Sequence, residues 1–229
     1  MQNPAEELAG RHAAWLAKRD AELMALLENH LFSLHAAEPY NTHHVDHHLR
    51  VRDTCAQIGL EMDADLLVLE SAALLHDIGR LSEGPGECHA AISADLAETL
   101  LAKLGVPDQC RKKICDAIRT HRYSSGIIPE SLEGRILQDA DRLDALGAIG
   151  VIRVVIHDAT KALYDLREPF PNQRPLSRSL ILDAFYEKIL KLKDGFHTAA
   201  ARKMAEKRHP FLVSFLEELR REIFPRNCE

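Results

Sequence analysis

The 229-residue sequence sets a histidine and an aspartate side by side, His76-Asp77, at the end of the apolar run Leu66 to Leu75. Burying an imidazole and a carboxylate together is costly unless a counter-group meets them, and a divalent cation meets both at once. Adjacent residues on an ideal helix diverge by about 100°. They converge where a helix ends and the chain turns, a turn that Gly79 permits. One His-Asp dipeptide is weak evidence for a metal, but two further segments add to it. Upstream, Asn41 to Val51 carries four histidines within six residues: His43, His44, His47 and His48. Downstream, Gln138 to Gly147 sets Asp139, Asp141 and Asp144 among Leu and Ala. Taken singly, the first reads as surface imidazoles and the second as a solvated helix face. The three together, in this order, point to a site for a divalent cation.

The elements that must position these residues are helices. Ala, Leu, Glu and Lys recur at helical spacings and alternating β-branched runs do not occur, so the fold class is all-α. The apolar spacing predicts helices over about Glu6 to Phe32 and His48 to Gly59, with Gly59 as C-cap. Asp63 or Asp65 can cap the next, Leu66 to Leu75, which is apolar on nearly every side. Further helices are expected over His89 to Leu104, ended by Gly105, and over Cys110 to His121. Leu132 to Val155 reads as one or two helices bent around Gly147 and Gly150. Pro169, Pro171 and Pro175 mark an extended loop, followed by helices near Arg178 to Lys193 and Thr198 to Ile223. This suggests an N-terminal helical segment (1–40), a metal-binding core (41–160) and a C-terminal helical extension (161–229) packed on the same domain.

Lys and Arg number 29 against 35 Asp and Glu, a net charge of −6. That argues against a protein coating nucleic-acid polymers and gives no sign of attraction to an anionic membrane. Cys55, Cys88, Cys110, Cys115 and Cys228 are scattered without a CxxC pair. With no long apolar stretch and no leader-like segment in the first residues, they suit a reduced, cytoplasmic setting.

The order of these segments resembles the HD-domain superfamily of metal-dependent phosphohydrolases, whose pattern is a His, a His-Asp doublet and a distant Asp. The matching positions are His47 in His47-His48-Leu49-Arg50-Val51, the doublet His76-Asp77, and Asp141, with Asp139 as the fallback. The stretch Gln138 to Gly150 and the later Phe185 to Asp194 look like the YedJ-like branch. The resemblance covers roughly His43 to Ile223 and implies an HD helical bundle with an N-terminal helix and a C-terminal helical extension. It also implies a metal site of His47, His76, Asp77 and Asp141, with His43, His44 and His48 as neighbours of that site.

Two imidazoles and two carboxylates suit Mn²⁺, Fe²⁺, Co²⁺, Ni²⁺ or Zn²⁺, with Mg²⁺ less favoured by the nitrogens. One ion is expected. His89 and His121 match positions that binuclear relatives add as ligands of a second. Arg80, Arg122 and Arg142 are the candidate phosphate donors, and Asp77 and Glu83, with Glu87 beside them, the candidate proton acceptors. The implied substrate is a small phosphorylated molecule, a nucleotide above others, cleaved at a phosphoester or phosphoanhydride by metal-activated water. Arg122 stands where cyclic-dinucleotide hydrolases carry a second histidine, and their Gly-Tyr-Pro signature is missing. The competing readings are a diiron oxygenase of the same superfamily and an HD fold that binds nucleotide without turnover. Tyr186, Lys188, Lys191 and Lys193 read as a solvated surface.

Overall fold

The computed structural model describes residues 4–172 and 174–224, with side chains described from Lys18 onward except at 173; Cys228 lies outside the described residues. The described chain is helical: α1 (Pro4–His35), α2 (Val45–Met62), α3 (Leu66–Leu75), α4 (His89–Lys103), α5 (Asp108–Thr120), α6 (Leu132–Leu143), α7 (Gly147–His157), α8 (Ile181–Glu187) and α9 (Ala199–Ile223). A short 3-10 turn, Ile78–Leu81, follows α3. Among the described residues, extended pairing is limited to an isolated bridge between Ala162 and Leu180.

The nearly all-apolar α3 forms the centre. It packs against α1, α2, α5 and α6, and Val68, Leu69 and Ala72 to Leu75 are buried. Each buried Leu or Val contributes roughly 1.5–3 kcal/mol by leaving water. Asp65 starts the helix, its side chain accepting from the Val68 amide at 3.3 Å. Burying the body of α3 fixes where its polar end emerges. His76 is the C-cap and Asp77 begins the 3-10 turn, so the chain bends between the two and both side chains can face one point.

The turn after Asp77 is pressed against α4. A Cβ on Gly79 would lie 2.6 Å from the His89 carbonyl oxygen and 2.6 Å from the Ser93 nitrogen. Only a glycine lets the two backbones approach so closely, and this brings His89, at the start of α4, near the doublet.

Two expected boundaries move. Gly59 does not end α2, which runs on to Met62. Asp63 caps it instead in the left-handed region, with φ 55°, its N–H donating to the Gly59 carbonyl. Gly59 lies inside the helix because Leu69 and Leu66 of α3 pack where its Cβ would be. The stretch Leu132 to Val155 is two helices, broken at Gly147, which has φ 74°. The region foreseen as one helix from Arg178 to Lys193 is the short α8 plus a 3-10 turn, Ile189–Lys191. The long α9 packs on α6 and α7.

Candidate metal centre

Four imidazoles turn their Nε2 atoms inward around Asp77, and in each the Nδ1 atom is held from behind. His76, at the end of α3, has Nδ1 2.7 Å from the Ala73 carbonyl. His121, just past α5, has Nδ1 2.7 Å from the Ile118 carbonyl. His47, on the first turn of α2, has Nδ1 2.8 Å from Asp144 Oδ2, and His89 Nδ1 lies 3.3 Å from Glu83 Oε1. A carbonyl or carboxylate can only accept, so Nδ1 carries the proton and the inward Nε2 offers a lone pair. Holding a ligand histidine by its second nitrogen is the usual way to fix its tautomer and aim.

The inward faces therefore crowd acceptors together. His47 Nε2 lies 3.3 Å from His76 Nε2 and 3.4 Å from Asp141 Oδ1. Asp77 Oδ2 is 3.8 Å from His47 Nε2 and 3.7 Å from His76 Nε2. Its other oxygen, Oδ1, is 3.4 Å from His89 Nε2 and 3.4 Å from His121 Nε2, yet it is buried without an aligned hydrogen-bond donor. Lone pairs facing lone pairs repel, and an orphaned buried carboxylate oxygen is costly. A divalent cation removes both penalties, so the donor set fits a metal. Among the described residues, three overlapping groups have the spacing to hold one: His47, His76 and Asp141; His43, His47 and Asp77; and His76, Asp77 and His121.

The ionisation of these groups follows from the same crowding. Burial pushes the His76 imidazole down to about 3. Burial would raise the Asp77 carboxyl, but His76, His121, His43 and Arg80 hold it well below its ordinary value. For His47, burial is opposed and outweighed by the neighbouring Asp141 and Asp144 carboxylates, which draw it upward. Asp141 and Asp144 are both depressed against the effect of burial, with His47 the foremost partner in each case.

The other expected site residues divide. Arg80 reaches the cluster, its Nε 2.6 Å from Asp77 Oδ2 and its Nη2 3.2 Å from His89 Nε2. Glu83 accepts from the His89 backbone N–H at 3.1 Å as well as meeting its ring. Arg122 stays near the start of α4, bonded to Ser124 Oγ at 3.0 Å and 3.9 Å from Cys88 Sγ. Arg142 is not brought to the cluster. Its guanidinium donates to the carbonyls of Gly195, Leu192 and Asp194 and lies between the rings of Tyr123 and Phe196, where it secures the turn ahead of α9. Asp139 also turns away: it accepts from the backbone N–H groups of His197 and Thr198 and from the Thr198 hydroxyl. It anchors the start of α9 and is no substitute for Asp141. Glu87 accepts from the Gly84 N–H at 2.7 Å, which shapes the loop.

Sequence reasoning missed one contributor, Asp144, and set His43 and His44 together as neighbours of the site, which the structure separates. His43 Nδ1 lies 2.6 Å from Asp77 Oδ2, whereas His44 packs on the His35 ring, 4.9 Å between centroids. Asp144 holds His47 and is held in turn by Arg50, at 2.8 and 3.0 Å, and by Arg153. Its spacing three residues after Asp141 on one helix is the signal that could have found it. Beside the cluster opens a cavity of about 350 Å³, with Asp77, His43, Arg80 and Glu83 in its wall.

An all-helical bundle that gathers a His, a His-Asp doublet and a distant Asp around one point has the arrangement of an HD domain. The HD domain family matches residues 45–146, and the chain belongs to the HD superfamily. It is 32% identical over 191 residues to the uncharacterized protein YpgQ of Bacillus subtilis (strain 168), covering 80% of this chain and 84% of that one. The crystal structure of Bacillus subtilis YpgQ in complex with ADP superposes with TM-score 0.69 at 25% identity, over 87% of this chain and 97% of that one. An HD-superfamily hydrolase of Bacillus thuringiensis gives TM-score 0.70 at 30% identity, over 92% and 100% of the two chains. Among the described residues, no helix is long and apolar enough to cross a membrane.

Proposed function

We propose that this chain is a metal-dependent phosphohydrolase that cleaves a phosphoester or phosphoanhydride in a nucleotide. The observation that carries the reading is the convergence of His47 Nε2, His76 Nε2 and Asp141 Oδ1 beside Asp77, a knot of acceptors that calls for a cation, with Arg80 and an open cavity at its side. The solved complex of YpgQ with ADP supports a nucleotide as ligand.

His47, His76, Asp77 and Asp141 would hold the ion. A divalent cation bound there supplies Lewis acidity toward a phosphoryl oxygen and acidifies water. Arg80 is the phosphate-facing cation: it lines the cavity, stays partly exposed, and its planar guanidinium suits bidentate contact with phosphate oxygens. Arg122, bonded to Ser124 and near Cys88 ahead of α4, is the next candidate for a phosphate contact. Asp77 orients the attacking water through its uncommitted lone pairs. Burial favours a higher value for the Glu83 carboxyl, but its bonds to the His89 backbone and ring, with Arg80 nearby, bring it below the ordinary range. That makes Glu83 a weak proton acceptor and an effective holder of His89.

We assign one ion rather than two. His47, His76 and Asp141 converge with no guanidinium among them, whereas on the other side Arg80 Nη2 lies 3.2 Å from His89 Nε2. The test is a panel of nucleotides with Mn²⁺, Co²⁺, Ni²⁺ and Mg²⁺, monitoring phosphate and pyrophosphate. Release that is lost in Asp77→Ala supports the reading. Oxygen consumption with two bound irons supports the oxygenase, and nucleotide binding without release supports a regulator.

A further inference from the structure

His35, the last residue of α1, is not used by the metal centre. It is 3% exposed, and both its ring nitrogens are buried without a hydrogen-bond partner among the described residues. Rings hold it instead: His44 meets it at 4.9 Å and His48 at 5.6 Å between centroids, both edge-on. Burying an imidazole with neither nitrogen bonded is costly, and a leucine or phenylalanine would fill the place without that penalty. What an imidazole adds there is the capacity to take up a proton. The place matters because His44 is the N-cap of α2, so the packed rings tie the end of α1 to the start of α2 and fix the loop 36–44 between them. That loop brings Tyr40, Asn41 and His43 into the wall of the cavity beside Asp77, and His43 reaches Asp77 itself. Its other ties include the Tyr40 hydroxyl on Asp46 and the His43 amide on the Asn41 side chain.

The titratable groups around the ring come from two sides. The loop contributes His44 and Glu38, and α2 contributes His48 and Asp46. From α3, which packs on α1 as well, Glu70 is the one charged residue, and it faces Arg52, Asp53 and Glu28. Burial foremost, then His44, pushes the His35 pKa down against the weaker pull of Glu38 and Asp46. Among the described residues no carboxylate bonds a ring nitrogen, so a protonated ring has no counter-charge in its pocket. Out in water it is favoured by the negative C-terminal end of α1. We propose that His35 is the pin of an acid-released latch, neutral and seated when the loop 36–44 is closed on the cavity, protonated and out of its pocket when the loop opens. The closed form keeps the ring neutral, whereas the open form protonates it below about pH 6.5. The open form then binds more protons and gains as pH falls, so this one group raises the ratio of open to closed by about tenfold from about pH 7.5 to 5.5. Opening frees His43 from Asp77 and widens access to the cavity. This holds whatever bond the site cleaves.

Hydrogen exchange read by mass spectrometry on the full chain, with Mn²⁺ present, tests this in wild type, His35→Phe and His35→Leu at about pH 7.5 and 5.5. Rates are expressed as protection factors, which remove the pH dependence of exchange itself. In wild type the amides of the loop and the first turn of α2 are expected to lose about tenfold more protection between the two pH values than in either variant. Protection of α3 is expected to change alike in all three chains. Equal losses in the loop of wild type and both variants overturn the inference, as does a wild-type excess shared equally by α3, which is opening of the whole fold. The ring proton resonance of His35, followed in wild type with Zn²⁺ in place of Mn²⁺, is a check that needs no variant. It is expected to titrate well below its ordinary value of about 6.5. Titration at that ordinary value with the loop still protected overturns the inference too.

Discussion

Asp144→Asn isolates the part played by the group behind His47. In the wild type, Asp144 takes the Nδ1 proton of His47 at 2.8 Å and two bonds from Arg50, at 2.8 and 3.0 Å, besides a contact with Arg153. The substitution keeps the volume, removes the charge and turns one acceptor into a donor. The donors on His47, Arg50 and Arg153 then share one carbonyl oxygen. The imidazole loses its fixed tautomer, and two guanidinium charges near the ion are left less neutralised. Removing such a partner weakens metal binding by about 10–100-fold, which is roughly 1.4–2.7 kcal/mol. Calorimetric titration of Co²⁺ into wild type and variant reads this directly. Asp139→Asn is the control, because Asp139 is as buried and five residues away, yet bonds only His197 and Thr198. It should cost about 2 kcal/mol of stability, a Tm loss of about 4–8 °C at this size, with Co²⁺ affinity unchanged. Undiminished Co²⁺ affinity in Asp144→Asn, or a loss in Asp139→Asn instead, would refute the reasoning.

Metal analysis should find one ion per chain, retained in His121→Ala and lost in His76→Ala; two ions in wild type falling to one in His121→Ala would contradict the single-ion assignment. Gly79→Ala drives a Cβ into the backbone of α4 at His89 and Ser93, so it should destabilise by about 1–3 kcal/mol, and an unchanged Tm would show that the turn and α4 do not press together. Burial foremost, then His76 and His47, hold His48 neutral well below its ordinary value. The unfolded chain protonates this histidine below about pH 6.5; it then binds more protons than the folded one, so this contribution falls as pH drops from 7 toward 5. Urea midpoints at those two pH values, with chelator present, should therefore drop further for wild type than for His48→Gln. Equal drops would contradict the assigned neutral state.

Much of the centre was legible because it is local. An apolar run ending in His76-Asp77 gives a buried helix whose polar end must find a counter-charge. Asp65 as N-cap and Gly105 just past α4 mark helix ends by chemistry that reads directly from residue type. The separation of Asp139 from Asp141 is also helical arithmetic: two residues rotate about 200° and face apart, whereas Asp141 and Asp144 share a side. Helical spacing alone sets Asp144 beside Asp141, and only the packing of α2 on α6 puts it behind His47. What could not be read are choices made by distant chain. Arg142 is drawn off by carbonyls of residues 192, 194 and 195, and Arg153 reaches Asp144 from α7. Gly59 looks like a helix stop until Leu69 and Leu66 show why the helix needs a bare backbone there. His43 has the same composition of neighbours as His44, and only the path of the loop ahead of α2 decides which one meets Asp77.

The central claim, a hydrolase whose ion is held at Asp77, is tested most directly by following phosphate and pyrophosphate release from ATP with Mn²⁺ for wild type and Asp77→Ala side by side. The account predicts release by wild type, abolished by chelator and by the substitution while the helical circular dichroism is kept. Release that survives in Asp77→Ala, or a metal-replete wild type that releases neither product from any nucleotide, would contradict it.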